Sequence, residues 1–280
     1  MIEAKNCEVL APAGRTSDIM PLIEAGADAI YVGLSGYSAR PKSSDFSLDD
    51  IEESLSLTKK YGRKLYVAAN ANVENEEIFK LCNEVALLDR MGVDAVILSD
   101  YGLINRLSEI VANTKIHAST LAGVYNSEDV KMLRDMGVSR IILSSDLFVD
   151  EIVDIIDSVP GMEYEIVADG GICFNSNRQC LLPHTGTGVC YSVYCQKEYS
   201  LLRDGEFLCK AKRIGNNPGK IHRTMGIYLG MGVSSFKIEG RTNSFDYILD
   251  RVKDVIASKK FFEKHQNEIA GMMHYIRRCN

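Results

Sequence analysis

What the 280-residue sequence lacks already narrows its function. No apolar run approaches the roughly 18 residues that a membrane span needs. The opening residues, Met1-Ile-Glu-Ala-Lys-Asn, carry no signal-peptide apolar core, so a cytoplasmic protein is expected. Positive charge is not in excess: 32 Lys and Arg stand against 38 Asp and Glu, for a net charge of −6 and a pI near 5.5. That balance argues against a surface that grips nucleic acid through phosphate neutralisation, and a nucleic-acid partner is not expected. The sequence has no Gly-x-Ser-x-Gly elbow, no His-Glu-x-x-His helix and no glycine-rich phosphate loop, which removes the common hydrolase and nucleotide signatures. It has no low-complexity segment and no sign of a second domain, so residues 1–280 are read as one barrel-like domain.

With 46% hydrophobic and 25% charged residues, the chain can bury a full core. Four segments share one pattern: Gly26-Ala-Asp-Ala-Ile-Tyr-Val, Gly92-Val-Asp-Ala-Val-Ile-Leu, Gly137-Val-Ser-Arg-Ile-Ile-Leu and Gly232-Val-Ser-Ser-Phe-Lys-Ile. Each reads as a helix that ends on a glycine in the left-handed conformation, followed by a short apolar strand. Strands apolar on both faces belong in a parallel sheet covered by helices. Extending the pattern predicts eight strands, near Glu8–Pro12, Ala29–Gly33, Lys64–Ala69, Ala95–Ser99, Lys115–Ser119, Arg140–Ser144, Tyr164–Ala168 and Ser235–Ile238. Ser47 with Asp50, Asn75 before Glu76 and Glu77, and Asn126 with Ser127 mark helix starts. Eight strand–helix units predict an α/β fold of the (β/α)8, TIM-barrel-like kind, with a doubly wound open sheet as the alternative.

About 65 residues separate the seventh and eighth strands, more than a helical crossover needs. Five of the eight cysteines fall in that excess: Cys173, Cys180, Cys190, Cys195 and Cys209. Residues 171–224 are therefore read as a cysteine-rich insertion at the carboxyl end of strand seven, the face where such barrels build active sites. A reducing cytosol disfavours disulfides and turns the reading toward metal. Only Cys190 and Cys195 approach the close spacing of a zinc knuckle, whereas an iron–sulfur cluster tolerates looser spacing; both groups stay open on spacing alone. Cys7, Cys82 and Cys279 read as small buried or terminal residues.

Polar groups also fall at predicted strand ends: Asn70 and Asn72, Asp100, His117 with Ser119 and Thr120, Asp146, and Lys237, Glu239 and Arg241. The last three share one side of their strand, an arrangement suited to anion binding or acid–base work, or to an ion pair tying the strand to its neighbours. His117 alone reads more readily as a structural histidine. His184 and His222 flank the cysteines, which leaves a Cys–His pair open.

Several of these stretches resemble the U32 peptidase-like proteins over nearly the whole chain. They are Leu10-Ala-Pro-Ala-Gly14, Gly26-Ala-Asp-Ala-Ile-Tyr-Val-Gly33, Asn70 with Asn72, Ile116-His-Ala-Ser-Thr120, Glu165-Ile-Val-Ala-Asp-Gly-Gly-Ile-Cys173 with Cys180, and Phe236-Lys-Ile-Glu-Gly-Arg241. The resemblance implies a barrel-like fold and a [4Fe–4S] cluster on Cys173, Cys180, Cys190 and Cys195, with Cys209 a rival for the fourth place. It also implies oxygen-independent hydroxylation, in some members of RNA bases and in others of the ubiquinone ring, with prephenate as an oxygen source. Some members were named peptidases. The chain departs from the pattern at Asp169-Gly170, where many members have His-Gly, and at Asn177-Arg178-Gln179-Cys180. The expectation is hydroxylation of a small or aromatic substrate, with Arg241 and Lys237 holding a carboxylate such as prephenate and His117 or Glu239 moving protons. An RNA hydroxylase, a peptidase, and a non-catalytic subunit working with a heteromeric partner of the same family are the alternatives. Structural zinc is the alternative to the cluster.

Overall fold

The helix-ending glycines set the period of the chain. Gly26, Gly92, Gly137 and Gly232 all have positive φ, from 78° to 108°, and each releases the chain from a helix directly into a strand. In the computed structural model, residues 7–39, 45–170, 198–212, 220–240 and 243–265 are described. The strands are β1 (Glu8–Pro12), β2 (Ala29–Leu34), β3 (Asp45–Phe46), β4 (Lys64–Ala68), β5 (Ala95–Leu98), β6 (Lys115–Ala118), β7 (Val138–Ile142), β8 (Glu163–Asp169), β9 (Glu198–Arg203), β10 (Glu206–Lys212) and β11 (Ser235–Ile238). The helices are α1 (Thr16–Glu24), α2 (Leu48–Lys60), α3 (Asn75–Met91), α4 (Tyr101–Ser108), α5 (Ser127–Asp135), α6 (Val149–Ser158), α7 (Lys220–Gly230) and α8 (Phe245–Lys264).

Eight parallel strands run in the order β1, β2, β4, β5, β6, β7, β8, β11, and β11 pairs again with β1. The closed TIM-barrel-like fold expected from the sequence is thus formed. The short β3 extends β2, and β9 with β10 makes a separate antiparallel hairpin between β8 and α7. The hairpin turns at Asp204 and Gly205, both at positive φ as a two-residue primed turn requires. Neither of these small elements carries the strand–helix pattern, so neither was anticipated. The helix start expected at Asn75 moves back by one: Glu74 is the N-cap of α3, and its N–H donates to Glu77 Oε2 at 3.1 Å. Ser47 and Asp50 form the expected reciprocal cap of α2. β7 begins two residues earlier than expected, because Gly137 delivers the chain into it without a loop.

Successive side chains divide between two cores. Val9, Ile30, Val32, Leu65, Val67, Val96, Leu98, Ile141, Ile166 and Phe236 face outward to the helices. Leu10, Ala29, Tyr31, Tyr66, Ala68, Ala95, Ile97 and Ile142 face inward. The inward set is not closed by aliphatic layers alone. Arg140, 4% exposed, donates from Nη1 to Glu8 Oε1 at 2.8 Å and to Glu165 Oε2 at 3.1 Å, and its Nε and Nη2 both reach Glu163 Oε2. Tyr66 Oη donates to Glu8 Oε2 at 2.7 Å, and Lys64 Nζ stands 3.1 Å from the same oxygen. Among the described residues no helix is long and apolar enough to cross a membrane.

Burial alone would raise the Glu8 carboxyl, but the Arg140 guanidinium, Lys64 and the Tyr66 hydroxyl hold it below its ordinary 4.5. Glu163 is lowered by the same guanidinium against its own burial. Groups depressed in this way stabilise the fold above about pH 4.5, and that contribution is lost as the pH falls through their lowered folded values. Urea titration of the wild type should therefore show stability declining below about pH 4.5. At pH 7, Arg140→Ala removes the buried cation that Glu8 and Glu165 share, leaving one net buried negative charge, and should cost about 3–5 kcal/mol. A loss under 1 kcal/mol in the same titration would contradict the assigned role.

Candidate functional site at the barrel mouth

The carboxyl ends of the strands gather most of the polar residues singled out from the sequence. Asn70 joins three segments: its Oδ1 accepts from the Ala39 N–H, its Nδ2 donates to Ser119 Oγ at 3.1 Å, and its carbonyl accepts from Ser99 Oγ. Ser119 also caps the short 3-10 turn at Thr120–Ala122. Asp146 accepts from the Tyr125 hydroxyl at 2.9 Å, which joins the loops after β6 and β7. Asp100 is the N-cap of α4 and accepts from the Leu103 N–H, so its role is structural. Asn72 is exposed.

The ends of β8 and β11 make the sharpest feature. Their register shifts between Lys237 and Ile238, so that Lys237 stands beside Val167 and Ile238 beside Asp169. Such an irregularity re-aims the side chains beyond it. The Glu239 N–H donates to the Asp169 carbonyl at 2.7 Å. The Tyr247 hydroxyl, from the first turn of α8, donates to Asp169 Oδ1 at 3.3 Å. Burial first, and then the Asp169 carboxylate, push the Tyr247 phenol above its ordinary value, so it is a protonated donor near neutrality. Gly170 separates the two acids with no room to spare. A Cβ there would stand 2.9 Å from Glu239 Cβ and 3.0 Å from its Oε2. Tyr247 carries no motif in the sequence; only the packing of α8 brings its hydroxyl to Asp169.

The other sequence-predicted site residues lie apart from this group. His117 and Lys237 are inside the barrel, below the mouth. Lys237 is 7% exposed, its Nζ lying 3.4 Å from Glu165 Oε1 and 4.4 Å above the Tyr31 ring. His117 is 1% exposed and meets the Tyr66 ring edge-on at 4.9 Å between centroids. Burial, with Arg140 and Lys237 nearby, holds its pKa well below 6.5, and the ring is neutral. Arg241 lies outside the described residues, as do Cys173, Cys180, Cys190, Cys195, Cys279 and His184.

Of the cysteines described, Cys7 and Cys82 are buried in the outer core, and burial pushes the Cys7 thiol up to about 12. Both are therefore packing residues. Cys209 is exposed on β10, open to a ligand role. Among the described residues, no three His, Cys, Asp or Glu side chains are placed to hold a metal ion. A cluster would accordingly depend on the thiols of the segment 173–195, with or without Cys209.

The class of protein is an eight-stranded α/β barrel with an acidic, hydrogen-bonded mouth, whose sequence runs from the end of β8 into a cysteine-rich segment. The chain belongs to Peptidase family U32, whose family model matches residues 14–276. It is 28% identical to the tRNA hydroxylation protein P of Escherichia coli over 95% of this chain and 72% of that one. It is 30% identical to the 23S rRNA 5-hydroxycytidine C2501 synthase of the same organism, over 88% of this chain and 38% of the larger protein. The solved structure of a U32 peptidase superposes with a TM-score of 0.58 at 12% identity, over 86% of this chain and 95% of that chain, a likeness of fold.

The tight packing at Gly170 gives a direct check of the mouth. Gly170→Ala should displace Glu239, because the clash falls on its Cβ rather than on a movable tip, at a cost of about 1–3 kcal/mol. Adding Glu239→Gly should recover part of that loss in thermal unfolding. No recovery would mean that the two positions do not meet.

Proposed function

We propose that this chain takes part in oxygen-independent hydroxylation of an RNA base, with an iron–sulfur cluster at the barrel mouth. The observation that carries this reading is the convergence of Asp169, Glu239 and Tyr247 directly before the cysteine segment, in a chain whose relatives are named for hydroxylating transfer and ribosomal RNA. The small aromatic substrate expected from the sequence gives way to RNA on the strength of those relatives. The acidic net charge and the acids at the mouth weigh against a grip on phosphates, not against hydrogen bonds to a single base. A single base read by its edge needs hydrogen-bond partners there more than a continuous basic surface.

In this reading Cys173, Cys180, Cys190 and Cys195 hold the cluster, with Cys209 as the alternative fourth thiolate. A bound [4Fe–4S] cluster supplies one-electron redox chemistry tuned by its exposure and by hydrogen bonds to its sulfurs. Structural zinc on the same thiols would instead make the segment a clip. Glu239 and Asp169 are the hydrogen-bond acceptors at the mouth, and Glu239 is the group placed to take up a proton. Arg241, two residues beyond Glu239, is assigned to the carboxylate of an oxygen donor such as prephenate. Lys237 drops out of that role, because Glu165 already neutralises it inside the barrel. His117 is too deeply buried to touch a substrate at the mouth. The peptidase alternative gains no support from His117, whose ring nitrogens meet no nucleophile, or from His265, which bonds the Phe261 carbonyl. A second chain of the same family stays in the proposal as the partner to look for by co-purification.

Protein purified without oxygen should contain about four iron and four sulfide per chain, and Cys173→Ala should lose most of both. Nucleosides of transfer and ribosomal RNA should then be compared by mass spectrometry between a strain lacking the gene and its complemented form. One nucleoside should lose a single oxygen in the deletion and regain it with the wild type, but not with Cys173→Ala. An unchanged nucleoside profile would remove RNA as the substrate, and one zinc per chain would remove the cluster.

A further inference from the structure

Beneath the mouth, three buried atoms on inward-facing side chains lack the hydrogen bonds their chemistry demands. They are both ring nitrogens of His117 and Oε1 of Glu165. Buried polar groups are almost always satisfied by protein or ordered water. A neutral imidazole has one donor and one acceptor nitrogen, so each needs a different kind of partner, and water serves both. Lys237 Nζ stands 3.4 Å from Glu165 Oε1, close enough for ion pairing, yet that oxygen accepts no hydrogen bond.

Part of the lumen wall is made of small side chains. Barrels of this kind usually fill the interior with bulky branched side chains. Here the inward positions of β2, β4 and β5 include Ala29, Ala68 and Ala95. The buried charges balance, with Glu8 and Glu165 opposite Arg140 and Lys237. A carboxylate or phosphate entering this space would bring a charge with no unpaired cation among these four to meet it. A neutral guest carries no such penalty.

We infer that the lumen is a hydrated, electrically balanced chamber in which internal water molecules bind His117 and Glu165, while the anionic parts of any substrate stay at the mouth. His117 and Ser119 face the same way two residues apart on one segment, and Ser119 is bonded to Asn70 at the rim. The water therefore lies between the buried imidazole and the polar ring of the mouth, and it gives that imidazole a route for proton exchange with solvent. This inference stands whether or not the chain modifies RNA.

The test uses the wild-type protein and one variant. A high-resolution crystal structure soaked in malonate should show water about 2.7–3.2 Å from each His117 ring nitrogen and from Glu165 Oε1. Malonate should be excluded from the lumen. Oxygen-17 relaxation dispersion in solution should detect long-lived internal water, with its amplitude reduced in His117→Phe. Ring nitrogens touching only carbon, direct protein partners on all three atoms, or malonate density inside the barrel would overturn the inference. If His117→Phe does not fold, the wild-type crystal and relaxation data decide it alone.

Discussion

Arg140 is the group on which the interior of this barrel depends. Its guanidinium joins carboxylates from β1 and β8, and Glu8 in turn accepts from side chains on β4 and β11. Directly and through Glu8, one planar cation on β7 thus links five of the eight barrel strands across the lumen. A pair between buried charges contributes little net stability over a well-packed apolar core, but removing one partner is expensive. The effect is to make the register of the closed sheet specific, since a strand that slips by one residue would strand a charge.

The same arrangement separates the interior from the mouth. Below, charges of both signs are matched, and His117 is held neutral by burial and by the cations near it. Above, the irregularity between β8 and β11 turns Asp169 and Glu239 toward the rim, Gly170 lets them pack closely, and Tyr247 closes the group from α8. The cysteine segment begins immediately after that irregularity. In the sequence, therefore, Asp169 at the rim stands four residues before the first thiol of that segment.

Much of the scaffold could be read in advance because it rests on local chemistry. The glycines at 26, 92, 137 and 232 stop helices by taking a conformation that costs other residues dearly, and the capping pair at Ser47 and Asp50 is a contact over three residues. The interior network was not read, although it left a signal. Glu8, Arg140 and Glu165 each interrupt an otherwise apolar strand, and a charge in such a place has to find a partner inside. Lys237 and Glu239 illustrate the limit. Their spacing placed them on one side of a strand, but not at which height each would stand, and a register shift sends one to the lumen and the other to the rim.

The sequence by itself determined the alternation of the eight barrel strands with helices and the place of the thiol-rich stretch along the chain. These follow from turn chemistry and side-chain period, which act over a few residues. Only the tertiary structure decided which charges meet. Glu8 finds Arg140 across 132 positions and Ser235 across 227, contacts that exist because the last strand closes on the first. Period-two alternation says which side chains share a face; what lies opposite that face is set by the closure of the barrel.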